Sequence, residues 1–294
     1  MTATVVLKRP PTTPWLRANW LARRRKGLTA TDIPALFGLS PWRTPLDVWL
    51  SKLRPEGEEF AYRYEKGHAL EGPLAAEWAR RTGDIIETPP ALLAHPDHPL
   101  ILASLDRIAH APDTTRLLEL KTSYDWQEWA DGAVPDLYSS QVLVQLAVTG
   151  LDEAVIFADV AGRLETRRIA RDLAWEREAI DFAHAWWDDY IITGTPPPLD
   201  EIRDYPKLSR VWQPEPGTEI EATDAVMGAV KDYHALRERA KEREHTMTGL
   251  KTQIRAYMGT ATLLRDPDTW HKAASITASG SLLVAAPQRE EGTA

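Results

Sequence analysis

The stretch LLELKTS at residues 117–123 sets a glutamate and a lysine two positions apart inside an otherwise apolar run. Side chains alternate across a β-strand, so Glu119 and Lys121 share one face while Leu118 and Leu120 share the other. The leucines are expected to face a core and the two charges to face solvent. An E-x-K pair by itself signifies little more than an ion pair on a half-exposed strand. A third acid nearby changes that reading.

That acid lies just upstream. LILASLDRIAH (100–110) and TRLLELKTS (115–123) flank the turn-forming APDT, which predicts a β-hairpin. A loop of two or four residues around Pro112-Asp113 places Asp106 directly opposite Glu119. Two carboxylates facing each other across a hairpin repel unless a cation lies between them. Magnesium commonly takes one or two carboxylates plus waters and substrate phosphates, which is the inventory offered here. Lys121, one pleat along the same face, is placed to reach a metal-bound water or to clamp a phosphate.

The whole chain bounds the alternatives. Its 294 residues, 43% of them hydrophobic, can bury one good-sized core and a second small unit. It has no cysteine, so any metal needs oxygen or imidazole ligands. No apolar run is long enough to span a membrane and no secretory signal is evident, which makes a cytoplasmic protein the expectation. The net charge of −8 argues against general nucleic-acid binding, but residues 1–54 hold ten Lys or Arg against two acids. The densest cluster is Arg23 to Lys26, ahead of a segment with helix-start chemistry.

The remaining pattern alternates helices and strands. PWLRANWLARRRKG reads as a helix stopping at Gly27, LTATDIPALFG as a short helix capped by Thr29 or Thr31, and Thr44-Pro45 as the cap of TPLDVWLSKL. Residues 60–81 form a helix with a bend or restart near Glu71, where Gly72-Pro73 interrupts. Pro135 starts the helix DLYSSQVLVQLAVTG, EAVIFADV and RLETRRIA form a second hairpin, and a long amphipathic helix ends before TPPP. Three regions follow: 1–195 as a core with a basic N-terminal segment, 196–218 as a polar linker, and 219–294 as a helical extension with a small hairpin. Within the core, Glu71 is an isolated acid on the helix preceding the strands. Tyr138, Gln141 and Gln145 share one helical stripe, with Gln145 expected to face solvent.

GHALEGPLAAEWARRTG, ASLDRI, LLELKTS and YSSQVLVQLAVTG, in that order, resemble the YqaJ-type phage recombinase nucleases, the group that includes phage lambda exonuclease. GLTATDIPALFGLSPWRTPLDVW is similar to that family's opening, and the resemblance covers roughly residues 15–195. It implies an α/β, restriction-endonuclease-like nuclease core: a central mixed sheet flanked by helices, with a helical C-terminal extension. It also implies Mg2+-dependent, or Mn2+-dependent, digestion of linear double-stranded DNA from 5′ to 3′ in a bacterial host cell, leaving 3′ overhangs for recombination. Residue by residue, Glu71, Asp106 and Glu119 would be metal ligands, Lys121 the catalytic lysine and Gln141 the glutamine completing the site. Arg24 or Arg25, with Thr31 and Ser104, would bind the terminal phosphate. Arg107 stands where the family usually has glycine, so it would either touch DNA or crowd the site. Implied partners are DNA ends, a single-strand annealing protein and further copies of the chain in a ring-shaped homo-oligomer. The alternatives are an endonuclease or single-strand exonuclease on the same core, or an inactive recombination scaffold.

Overall fold

The computed structural model describes residues 3–8, 13–55 and 62–286. The chain divides into two compact units, Met1–Pro214 and Glu215–Ala294. In chain order the first contains β1 (Thr4–Leu7), α1 (Pro14–Arg24), β2 (Leu28–Thr29), α2 (Ile33–Leu36), α3 (Pro45–Leu53), α4 (Tyr62–Thr82), β3 (Ile85–Glu87), β4 (Leu92–Ala94), β5 (Ile101–Ala103), β6 (Arg107–Ala111), β7 (Thr114–Ser123), α5 (Asp136–Thr149), β8 (Glu153–Val160), β9 (Arg163–Ala170), α6 (Leu173–Trp186) and α7 (Leu208–Val211). Among the described residues no helix is long and apolar enough to cross a membrane.

The central sheet is mixed, in the order β3-β6-β7-β8-β9. Its two hairpins are the expected ones. In β6–β7 the loop is Pro112-Asp113, and the register pairs Arg107 with Leu118 and Ala111 with Thr114, which sets Asp106 opposite Glu119 at the strand's entrance. In β8–β9, Ala161 and Gly162 both have positive φ (50° and 85°), the backbone a two-residue hairpin turn requires. Strands β7 and β8 run parallel, with α5 as the crossover between them.

Helices cover the sheet on both faces. Leu74, Ala75 and Trp78 of α4 meet Leu118, Leu120, Val155 and Phe157 on one side, with the Trp78 and Phe157 rings edge to face at 5.3 Å. On the other side Leu117, Ala154, Ile156 and Ala158 join Val142 and Leu146 of α5 in the larger core. Each fully buried Leu, Val or Phe here contributes roughly 1.5–3 kcal/mol. The face that carries Glu119 is therefore no solvent face: α5 lies over it, and Glu119 is 1% exposed. Helix α4 runs through Gly72-Pro73 without the expected restart, and the beginning of that prediction, residues 60 and 61, lies outside the described residues.

A second, four-stranded sheet, β1-β4-β5-β2, holds the N-terminal segment. Helix α1 ends at Arg24 rather than at Gly27, and Gly27 serves another purpose. A Cβ there would meet the Leu100 carbonyl oxygen at 2.3 Å, so glycine is what lets β2 enter parallel to β5. Thr29 consequently lies in a strand and caps nothing, while α2 starts after Asp32. Thr44 caps α3 with a full capping box shared with Asp47.

Structure also continues past residue 195. A π-helical turn, Trp187–Ile192, follows α6, and residues 196–214, read from sequence as linker, pack onto α3. Asp204, fully buried, accepts the Thr44 hydroxyl at 2.6 Å and the Lys207 ammonium at 3.1 Å. Arg54 donates to the Arg210 and Val211 carbonyls at 2.7 and 2.6 Å. The second unit contains α8 (Asp224–Met258), capped by Thr223, and a three-stranded sheet of β10 (Leu263–Arg265), β11 (Lys272–Ile276) and β12 (Leu282–Val284) in place of the expected hairpin.

Candidate active site

Glu119 is the hub of a buried polar network. Its Oε1 accepts Gln141 Nε2 at 2.6 Å and the Lys121 ammonium, and its Oε2 accepts Gln145 Nε2 at 2.9 Å. Gln145 also donates to the Ser104 carbonyl at 3.1 Å, and Lys121 reaches Gln141 Oε1 at 3.4 Å. A buried carboxylate survives only with such partners. Gln145, expected at the surface, is completely buried because it follows Gln141 on the stripe that begins at Tyr138. Its Oε1 is left without a hydrogen-bond partner.

Asp106 completes the pair of acids. Its Oδ2 accepts the Leu120 backbone N–H at 2.8 Å, which pins the side chain against β7. Burial, the Glu119 charge and the Glu71 charge push its carboxyl up to about 8, against the pull of Lys121 and the Leu120 N–H. For Lys121, burial acts to lower the pKa, but Glu119 and Asp106 outweigh it and hold the ammonium above its usual value. Lys121 is thus a resident cation, and its Nζ also lies 5.2 Å from the centre of the Tyr138 ring.

Glu71 reaches the edge of this group from α4. His68 Nδ1 lies 2.7 Å from its Oε1 and Arg107 Nη1 3.8 Å from its Oε2. Arg107 also donates to the backbone carbonyl of Asp106 at 2.5 Å, so it ties the Glu71 carboxylate to the main chain at Asp106. Glu71 raises the pKa of His68, first through their hydrogen bond.

Among the described residues no group of three or more His, Asp or Glu side chains is arranged to hold a metal ion. Magnesium does not require one, because waters and phosphate oxygens complete its shell. Asp106 and Glu119 fit it: two facing carboxylates, one pushed up by burial and then by the other's charge, form a pair that a cation relieves.

A second cluster abuts the first through the loop that carries Ser104. The Arg24 guanidinium donates to Thr31 Oγ1 at 3.1 Å, Thr29 Oγ1 at 3.3 Å and Ser104 Oγ at 3.4 Å, and stacks 4.4 Å over Trp20. Arg24, and not Arg25, joins Thr31; the backbone of Arg25 closes α1. Beneath it, buried Asp32 accepts Lys52 Nζ and Arg43 Nη1, both at 2.7 Å, and Thr29 Oγ1 at 2.8 Å. Burial acts to raise the Asp32 pKa, but Lys52, Arg43 and Arg24 outweigh it and hold the carboxyl far below the usual range. Asp32, Lys52 and Arg43 escaped the sequence reading. The one available signal was an acid embedded in the apolar run LTATDIPALF.

Residues 19–152 match the model of the YqaJ-like viral recombinase domain. Uncharacterized protein YqaJ of Bacillus subtilis (strain 168) is 30% identical over 254 residues, 82% of this chain and 78% of that protein. The crystal structure of LHK-Exo in complex with dAMP superposes with a TM-score of 0.51 at 21% identity, covering 66% of this chain and 97% of that one. A second structure of that alkaline exonuclease, from Laribacter hongkongensis, has a TM-score of 0.49 at 23% identity, with 60% and 93% covered. The first superposition establishes a shared nuclease-like fold, and the extent and identity of the Bacillus match establish kinship. The chain belongs to the YqaJ family of phage-type recombinases.

Proposed function

We propose that this protein is a Mg2+-dependent exonuclease that digests one strand of linear duplex DNA from its 5′ end and leaves 3′ single-stranded overhangs for recombination. The observation that carries the reading is the buried Glu119, held by Gln141, Gln145 and Lys121 and facing Asp106 across the hairpin. A core selected only for packing has no use for two facing acids under a helix. Membership of a viral recombinase family and the superposition on an exonuclease support the same reading.

Asp106 and Glu119 would hold the metal, with Glu71 assisting, and Mn2+ would substitute for Mg2+. When bound, the metal stabilises charge on the scissile phosphate and the leaving oxygen. Glu119 and Asp106 favour the ammonium form of Lys121, which would orient or activate the attacking water and offer positive charge to the phosphate. Gln141 positions both Lys121 and Glu119. Arg24, Thr31 and Ser104 would grip the 5′-terminal phosphate, and Arg107, beside Glu71, would be a further DNA contact. Further copies of the chain in a ring, and a single-strand annealing protein, are the partners in this reading.

The test is digestion of 5′-phosphorylated linear duplex with Mg2+, comparing wild type with Lys121→Ala. A loss of at least about a hundredfold is expected, on the order of one electrostatic catalytic group. Near wild-type turnover of the variant would overturn the assignment.

A further inference from the structure

Beside the acidic centre lies a cavity of about 340 Å3, at the small end of ligand pockets, for which the nuclease reading has no use. Its walls are mostly apolar, including Pro41, Trp42, Leu137 and Tyr138. The charged residues that line it are the acids Glu128 and Asp136, with neither Lys nor Arg among the described lining residues. Such a lining repels phosphate. It suits a flat, neutral group with hydrogen-bond donors at its edge, because aromatic faces stack and carboxylates accept N–H groups.

Two further observations fix what that group is. The cavity shares Tyr138 with the active centre, since the Tyr138 ring lies 5.2 Å from Lys121 Nζ. A nucleotide whose phosphate sits at Lys121 therefore has its base within reach of this wall. Trp42, which also lines the cavity, is 55% exposed yet comes from a fixed turn. Ser40 Oγ accepts the N–H groups of Trp42 and Arg43 at 3.3 and 3.1 Å, and Arg43 is tied to buried Asp32 at 2.7 Å. Because Asp32 also holds Thr29, next to the Arg24 cluster, the turn is anchored to the same carboxylate as the proposed phosphate grip.

We propose that this cavity is a nucleobase subsite, in which the base at the 5′ end of the strand being cut enters between Trp42 and Tyr138. The proposal rests on the nuclease reading for its setting but is tested apart from it. Stacking accepts any base, so the subsite holds the strand in register without selecting sequence.

The experiment has a binding arm and a rate arm. In the first, saturation-transfer NMR is run without metal on deoxyadenosine 5′-monophosphate and on deoxyribose 5-phosphate, with wild type, Trp42→Ala and Trp42→Phe. Adenine H2 and H8 are expected to receive saturation in wild type and in Trp42→Phe and to lose it in Trp42→Ala. In the second, digestion with Mg2+ compares 5′-phosphorylated duplexes whose 5′-terminal nucleotide is intact or abasic. Wild type is expected to cut the abasic end at least about fivefold more slowly, as one stacked base is worth, and Trp42→Ala to bring the two rates together. Absent saturation of the base protons in wild type, or saturation unchanged in Trp42→Ala, overturns the subsite. Failure to cut either duplex overturns the nuclease reading instead, and the NMR arm still decides the cavity.

Discussion

Asp106 Oδ2 accepts the backbone N–H of Leu120 at 2.8 Å, which clamps the aspartate to the strand that carries Glu119 and leaves the two acids face to face. The clamp favours the ionised form, but burial and Glu119 oppose it more strongly, and the carboxyl ends well above its usual range.

A pH signature follows. The Asp106 carboxyl titrates near 8 in the folded chain against 3.8 as its ordinary value, so between those limits the native state binds a proton that the unfolded state does not. Stability from this group therefore falls as pH rises from about 4 to about 8. Thermal melts without metal are expected to show Asp106→Asn gaining on wild type across that window. Mg2+ should raise the wild-type Tm more at pH 8 than at pH 5, and leave the variant unmoved. Identical Mg2+ responses of the two proteins would exclude Asp106 as a ligand.

Gln145 tests the network from its other side. Gln145→Leu leaves Glu119 Oε2 without its donor in a fully buried place, and an unsatisfied buried acceptor costs ~1–3 kcal/mol, more when charged. Urea unfolding should show a loss of that size, together with slower digestion. A surface glutamine would have cost next to nothing.

In the proposed reading the Arg24 cluster sets end recognition. Arg24→Ala and Thr31→Ala are expected to remove the preference for 5′-phosphorylated over 5′-hydroxyl ends, whereas Arg25→Ala, which leaves the Arg24–Thr31 pair in place, should keep it. Initial rates on the two end types decide between them. An Arg25→Ala variant that loses the preference would reassign the grip.

Truncation after Pro216 keeps every residue of the acidic centre and of the Arg24 cluster, and all of the first unit. Metal-dependent digestion is expected to survive, while assembly or partner binding, followed by light scattering and pull-down, weakens. Exposed Val226, Val230, Tyr233, Met247 and Leu250 on α8 are the side chains such contacts would use. An insoluble or unfolded product would instead tie the second unit to the stability of the first.

The sequence by itself determined what depends on local rules. Alternation along LLELKTS, a loop of two or four residues around Pro112-Asp113 and a tight turn at Ala161-Gly162 settle both hairpins and bring Asp106 opposite Glu119, because either loop length gives the same register. The Thr44-Pro45 helix start was equally local, a capping box within four residues. Tertiary structure decided which faces are covered. Glu119 and Gln145 are buried because β7 and β8 pair in parallel and their crossover helix must lie on the sheet, a consequence of chain path that no window of residues contains. Likewise the choice of Arg24 over Arg25, the role of Gly27 and the packing of residues 196–214 on α3 each turn on a partner distant in sequence: Ser104, the Leu100 carbonyl and Thr44. Local propensity fixes what an element is, and only the closed fold fixes what it touches.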